Sequence, residues 1–271
     1  MRCNQYGSIG GRGPTHLLDP LKPPIIAAQE FLVLTGRALV NIFRSPHYAD
    51  DIALQMDYIG VGSLPVVVLT GFFSGAVMTL QMSQALNTYG QVSQTGTLVS
   101  VTLAREMGPV LSAIMVAGRN SSGIASELGS MTVTEQIDAM RALGTDPVQK
   151  LVTPRLIATC LMLPLLVIIA DFVGMFGGFL IADFFLSLTP RQYWSSVWRA
   201  LEWRDVFQGL LKPFIFAVVV SMIGCFYGLR TTGGTQGVGR STTQAVVAAI
   251  VLIFVLDLLI TKIFVWLAGV G

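Results

Sequence analysis

From Tyr58 to Ala104 the chain carries no Asp, Glu, Lys or Arg. A soluble domain, in which about a quarter of residues are charged, does not leave a stretch of that length without one charged surface position. A bilayer selects the opposite pattern, because it accepts apolar helix and penalises charge. The run is also too long for one crossing, for which about 20 residues suffice. A polar patch, SQALNTYGQVSQTGT, divides it into span one, roughly 59–83, and span two, roughly 97–119. The remainder agrees: 53% of the 271 residues are hydrophobic and 12% charged, with mean hydropathy +0.68. Those values belong to a polytopic membrane protein.

Three further apolar stretches follow, at roughly 155–183, 206–229 and 243–268. Span three holds Asp171, span four has Lys212–Pro213 near its start, and span five holds Asp257 and Lys262. Small residues at Gly71–Gly75 and Gly174–Gly178 suit close helix contact. Residues 25–44 mix Phe31, Leu34 and Leu39 with Glu30 and Arg37. That mixture predicts a helix lying on the membrane surface rather than crossing it, within an interfacial segment reaching about residue 55. Residues 1–24 form a tail without the apolar core of a signal peptide. The Trp-rich segment 187–205 predicts a short surface helix, since Trp favours the membrane–water boundary. The expected fold is therefore an all-α integral membrane protein, five transmembrane helices preceded by an amino-terminal interfacial helix. The domain would occupy 25–268.

Charge orients these spans. Arg2, Arg12, Lys22, Arg37, Arg44, Arg119, Arg141, Lys150, Arg155, Arg230 and Arg240 share one side of a five-span chain, against Arg191, Arg199 and Arg204 on the other. The positive-inside rule then places the amino terminus in the cytoplasm and the carboxy terminus outside.

Several classes are disfavoured. A net charge of +2 without a charge-dense tail gives nucleic acid little to bind. Cys3, Cys160 and Cys225 are too scattered for a metal site or a disulfide framework. His16 and His47 are far apart, and no catalytic constellation is visible. Gly234-Thr-Gln-Gly-Val-Gly-Arg240-Ser241 has a phosphate-loop outline, but Arg240 stands where Lys is required and a span, not a strand, precedes it. Residues 230–242 read instead as a Gly-rich loop, with Ser241 or Thr242 as N-cap of span five.

Two features point to chemistry. The first is the adjacent pair Arg105–Glu106. Each charge costs about 2.5–3.5 kcal/mol at a helix centre on insertion scales. Neighbouring residues do not face each other on a helix, so each needs a separate partner. Pro109 weakens the helix there, lacking the N–H that would bond residue 105. The pair reads either as a clamp between helices or as a polar spot in an apolar cavity. The second is a short helix over about 132–143 between spans two and three. Thr132-Val-Thr-Glu135 fits a capping box, Val133, Ile137 and Met140 form a stripe, and Gly144 suits the C′ position. It could pack on its own protein or seat in a groove of a partner. Glu106, Asp171 and Asp257 also leave open a secondary transporter with ion sites, although no internal repeat is evident. A scaffold without transport remains open too.

The stretches AREMGPVLSAIMVAGR, SELGSMTVTEQIDAM, GTDPVQKLVTPRLIA and GVGRSTTQAVVAAIVLIFVLDLLITK resemble the MlaE/YrbE permease family over roughly residues 30–268. These are the membrane subunits of MCE-type ABC lipid transporters. The resemblance implies a bacterial inner-membrane protein of MlaE-like fold, working as a homodimer that moves phospholipid or a similar hydrophobic molecule. It implies a cytoplasmic ABC ATPase that binds ATP and Mg, and a periplasmic MCE-domain ring, so this chain would be a transport subunit and no enzyme, with no cofactor of its own. It places an outward-open lipid pocket between the two permease copies, near Met78, Ala85, Leu86, Tyr89, Arg105 and Glu106. It assigns ATPase coupling to the short helix, through Glu135, Gln136, Ile137, Asp138, Met140 and Arg141.

Overall fold

The computed structural model describes residues 22–42, 44, 48–186 and 188–267. The tail before Lys22, with Cys3 and His16, lies outside the described residues, as does His47. Every regular element among the described residues is helical. They are α1 (Lys22–Asn41), α2 (Ala49–Asn87), α3 (Val92–Val133), α4 (Gln136–Ala142), α5 (Val148–Leu186), α6 (Pro190–Ala200), α7 (Trp203–Leu229) and α8 (Gly234–Leu267). Five of these, α2, α3, α5, α7 and α8, are long and apolar enough to cross a membrane. Each expected span lies inside one of them, save residue 268. The helices extend beyond the expected spans at one or both ends.

Two boundaries differ from the sequence reading. The interfacial segment 25–55 is not one helix: α1 ends at Asn41 and α2 begins at Ala49. Asp50 and Asp51 stand in the first turn of α2, where carboxylates favour a helix start. The loop expected over 230–242 is helical from Gly234. Only the turn before it is irregular, with Gly233 and Gly234 at φ +89° and +68°. Glycine serves close packing here, not looseness. Thr231 donates to Ser241 Oγ at 2.9 Å, and a side chain at Gly237 would collide with the Thr232 carbonyl. Ser241 and Thr242 are thus inside α8 and cap nothing; the Thr242 hydroxyl donates back to Val238 O at 2.6 Å.

The two small-residue faces pack on each other. A Cβ at Gly71 would lie 2.8 Å from Ala170 O, and one at Gly174 would lie 3.1 Å from Gly71 O. At Gly75 the overlap with the Gly174 carbonyl is more severe. Backbone meets backbone, so neither helix can yield locally. Gly75→Leu is expected to force α2 from α5, at more than the ~1–3 kcal/mol typical of an overpacked core. A fall in the unfolding temperature of the detergent-solubilised protein measures this; a wild-type temperature would mean the helices part at no cost.

Phe216, Val220, Leu163, Ala113 and Ile253 bring α3, α5, α7 and α8 into one core. At one end, α6 lies across α2, α3 and α5, burying Tyr193 and Val197 against Met78, Val99 and Leu103. Its start is a capping box that the sequence reading passed over. Thr189 Oγ1 accepts from the Gln192 N–H at 3.4 Å, and Gln192 Oε1 accepts from the Thr189 N–H at 3.1 Å, with Pro190 in the first turn. The Tyr193 hydroxyl donates to Met175 O at 3.2 Å. Burial pushes its pKa up to about 12, although a hydrogen bond with Thr79 works the other way.

At the other end α1 docks by Glu30–Arg230 at 3.3 Å and by Phe31 edge-on to Phe226 at 5.7 Å. There Arg155 pairs with Glu127 at 2.9 Å, and Arg119 stands over the Tyr58 ring at 5.3 Å. Cys160 and Cys225 are free thiols.

Candidate functional site

Leu103–Met107 is a π-helical turn in α3, immediately before Gly108 and Pro109. Such widened turns recur at functional sites. Pro109 has no N–H to offer the preceding turn, which removes one cost of widening it. Gly209 of α7 faces this turn, and a Cβ there would strike the Ala104 carbonyl. The close approach brings Asp205, Gln208 and Lys212, which share one face of α7 at i, i+3 and i+7, against Arg105 and Glu106.

As the spacing requires, the two neighbours take separate partners. Arg105 Nε donates to Asp205 Oδ1 at 2.6 Å, and a guanidinium NH2 group contacts the same oxygen. Asp205 Oδ2 accepts from the Glu202 N–H at 3.2 Å, at the start of α7. Glu106 pairs with Lys212, whose side chain is fully buried. Lys212 Nζ also lies 2.8 Å from Asp257 Oδ1, an ion contact without the alignment of a hydrogen bond. It donates to Thr261 Oγ1 at 2.9 Å, and the Thr261 hydroxyl lies 3.2 Å from Glu106 Oε1. Gln208 Nε2 donates to Glu106 Oε1 at 3.4 Å. One lysine is therefore shared by two acidic side chains, tying α3, α7 and α8 together.

Asp257 finds Lys212, not Lys262, which is exposed. Asp171 stands apart from this cluster. Its Oδ1 fills the space beside Gly108 and has no hydrogen-bond partner. Of the three acids weighed as ion sites, only Glu106 and Asp257 meet. Among the described residues no group of three or more His, Cys, Asp or Glu is placed to hold a metal ion.

A cleft of about 690 Å³ opens beside the cluster. Its walls include Arg105, Trp203, Arg204, Phe207, Gln208 and Phe264. Among the sequence-derived pocket residues, Arg105 lines this cleft and Glu106 adjoins it through Gln208. Met78 is buried beside Leu103 and Ala104. Ala85 is exposed, Leu86 half-buried, and Tyr89, at 79% exposure, lies just past the carboxy-terminal end of α2. None of these four lines the cleft at Arg105.

The short helix is real but differently built. The capping box at Thr132–Glu135 does not form, because α3 continues to Val133. The Thr132 hydroxyl donates backward to Leu128 O at 2.8 Å. Glu135 adopts a left-handed conformation, φ +60°, the one positive φ at a non-glycine among the described residues. It makes the sharp corner from which Gln136–Ala142 restarts. The far end is as expected. Gly144, at φ +78°, closes a Schellman motif in which Thr145 N–H donates to Met140 O at 3.0 Å and Gly144 N–H to Arg141 O at 3.0 Å. Ile137 is buried and Met140 half-buried; Glu135, Gln136, Asp138 and Arg141 are exposed. Asp138 and Arg141 pair at 2.7 Å on the open face.

Comparison with known proteins agrees with this architecture. The profile of the family described as Permease MlaE matches residues 52–263. A probable ABC transporter permease protein of Rickettsia felis is 42% identical over 234 residues, 86% of this chain and 90% of the relative. The chloroplastic protein Trigalactosyldiacylglycerol 1 of Arabidopsis thaliana is 36% identical, covering 88% of this chain and 68% of that protein. The intermembrane phospholipid transport system permease protein MlaE of Haemophilus influenzae is 33% identical, covering 77% and 80%.

Proposed function

The chain belongs to the MlaE permease family, and from that premise we propose that it is the permease subunit through which an ABC transporter moves phospholipid, or a similar hydrophobic molecule, between the inner membrane and a periplasmic MCE assembly. That it is a multi-pass membrane permease of ABC-transporter type follows from the family and the five apolar helices. The lipid, the partners and the orientation are the proposal. The name of the Haemophilus relative supports phospholipid as the cargo. The observation that carries the reading is the polar cluster of Arg105, Glu106, Lys212 and Asp257 beside a cleft with an aromatic wall. A cavity that sets fixed polar groups against an apolar wall suits an amphiphile.

In this reading two permease copies face each other, and the residues near Met78, Ala85, Leu86 and Tyr89 complete the pocket from both sides. The arginine-rich end of the bundle is cytoplasmic, and α1 lies along that membrane surface. A cytoplasmic ATPase seats on α4 and supplies the energy of ATP hydrolysis. The end carrying α6 and the carboxy terminus meets the MCE ring.

Mass spectrometry of the complex extracted in mild detergent tests this. Phospholipid, an ABC ATPase and an MCE protein are expected together, and Glu106→Gln, which leaves Lys212 paired with Asp257, is expected to lower bound phospholipid and transport several-fold while the partners remain. Transport that runs on a proton gradient without any ATPase would reject the reading. So would lipid content and transport unaltered in Glu106→Gln.

A further inference from the structure

We propose that the cleft between the amino-terminal end of α7 and the carboxy-terminal end of α8 is itself a phospholipid site, holding the phosphate at Arg105 and Arg204 and an apolar chain along Phe207 and Phe264. The proposal rests on the lipid-permease reading and adds the route: lipid would reach the buried cluster from the α7–α8 side.

The volume, about 690 Å³, lies within the roughly 300–1,000 Å³ of ligand pockets. Its walls are divided by chemistry: Arg105 and Arg204, with Glu202 and Asp205 beside them, on one part, and Phe207, Phe264, Val265 and Leu267 on the other. A phosphodiester carrying acyl chains has the same division.

The two carboxylates in the lining are both engaged at the start of α7. Asp205 is only 2% exposed and is committed inward, Oδ1 to Arg105 and Oδ2 to the Glu202 N–H. The Glu202 carboxylate accepts from the Asp205 N–H in a capping box, so it too is engaged by the helix start. The Arg105 side chain nevertheless remains 45% exposed. Its guanidinium has five N–H donors, more than the one carboxylate oxygen can use. Arg204 is exposed and has no ion-pair partner among the described residues. Two guanidinium groups at one cleft match the bidentate recognition of phosphate. Trp203, 81% exposed at the same helix end, belongs to the residue type that settles at headgroup level. Gln208 lines the cleft and donates to Glu106, so a headgroup held there is one side chain from the Lys212 cluster.

The test uses the full complex in lipid nanodiscs and a photoactivatable phospholipid with a diazirine in its acyl chain. Cross-linked peptides are mapped by mass spectrometry. Labelling is expected on α7 and α8 near Phe207 and Phe264. Arg204→Glu, at an exposed position outside the core, is expected to lower it at least five-fold. Excess phospholipid is expected to compete and inorganic phosphate is not; competition by inorganic phosphate alone would assign the cleft to a free anion and overturn the proposal. A diacylglycerol probe that labels the cleft equally would overturn phosphate recognition. Labelling confined to Met78–Tyr89 would keep the lipid-permease reading and reject this site. No labelling anywhere on the chain would reject both.

Discussion

Lys212→Leu is expected to prevent accumulation of folded protein, and the same change combined with Glu106→Gln and Asp257→Asn is expected to restore it. The single change removes the one cation among the described residues that contacts both acids. Glu106 and Asp257 would remain inside the helix bundle, 34% and 20% exposed, with no ion-pair partner among the described residues. Breaking a buried pair from one side costs about 3–5 kcal/mol, a large share of the roughly 5–15 kcal/mol that separates folded from unfolded states. Neutralising both acids removes that penalty. Thr261 and Gln208 can then hydrogen-bond the amides, and replacing buried ions by neutral groups is often neutral or stabilising. Monodisperse elution and thermal unfolding in detergent measure the first part. A single mutant with wild-type unfolding temperature would remove the cluster from any account of stability. The triple variant carries the second question: a folded protein without transport makes the charges functional, and one with transport makes them a helix clamp only.

How much of this cluster the sequence held depends on which residue is considered. Arg105 and Glu106 were visible because a charge in an apolar stretch is costly, and their need for different partners followed from helix geometry. The partners were legible only in part. Asp205, Gln208 and Lys212 share a helix face by spacing, as do Asp257 and Thr261, four apart, yet no pattern within one helix says which other helix it meets. Gly209 settles that, by letting α7 approach the turn at Ala104, and a lone glycine in a span has many uses. Gly71 and Gly174 show the same limit: each announced a close contact, but not that the contact was mutual. The failures at Thr132 and at residues 230–242 share one cause. Ser, Thr and Gly are read locally as caps and loops, and here they are used within helices, Thr132 against Gly228 of α7 and Gly237 against Thr232. The Thr189 box was legible as Thr-Pro-Arg-Gln at the start of α6, a local signal that the Trp content of the segment does not carry.

Asp138→Arg together with Leu143→Asp is expected to leave the permease inserted and folded while cutting ATPase co-purification and ATP-driven lipid transport at least ten-fold. Leu143 is 84% exposed, a large apolar side chain presented on the loop side of α4, beside the exposed Asp138–Arg141 pair. Neither is needed for the helix to stand. Ile137 fixes its inner face, the corner at Glu135 fixes its start, and the Schellman motif at Gly144 fixes its end. A rigid helix with its anchor groups already ordered loses little entropy on docking, and one exposed apolar side chain suits a small groove. Ten-fold corresponds to about 1.4 kcal/mol, less than one well-seated anchor residue contributes, at about 2 kcal/mol or more. Ile137→Asp is the necessary contrast: it removes the inner support and is expected to lower thermal stability as well as coupling. If the outer-face double variant binds the ATPase as tightly as the wild type, α4 is a structural corner and the energy of ATP hydrolysis must enter the permease elsewhere. If it unfolds, its outer face is not free. The combination expected, normal unfolding temperature with lost coupling, arises only where an otherwise dispensable surface is occupied by a partner.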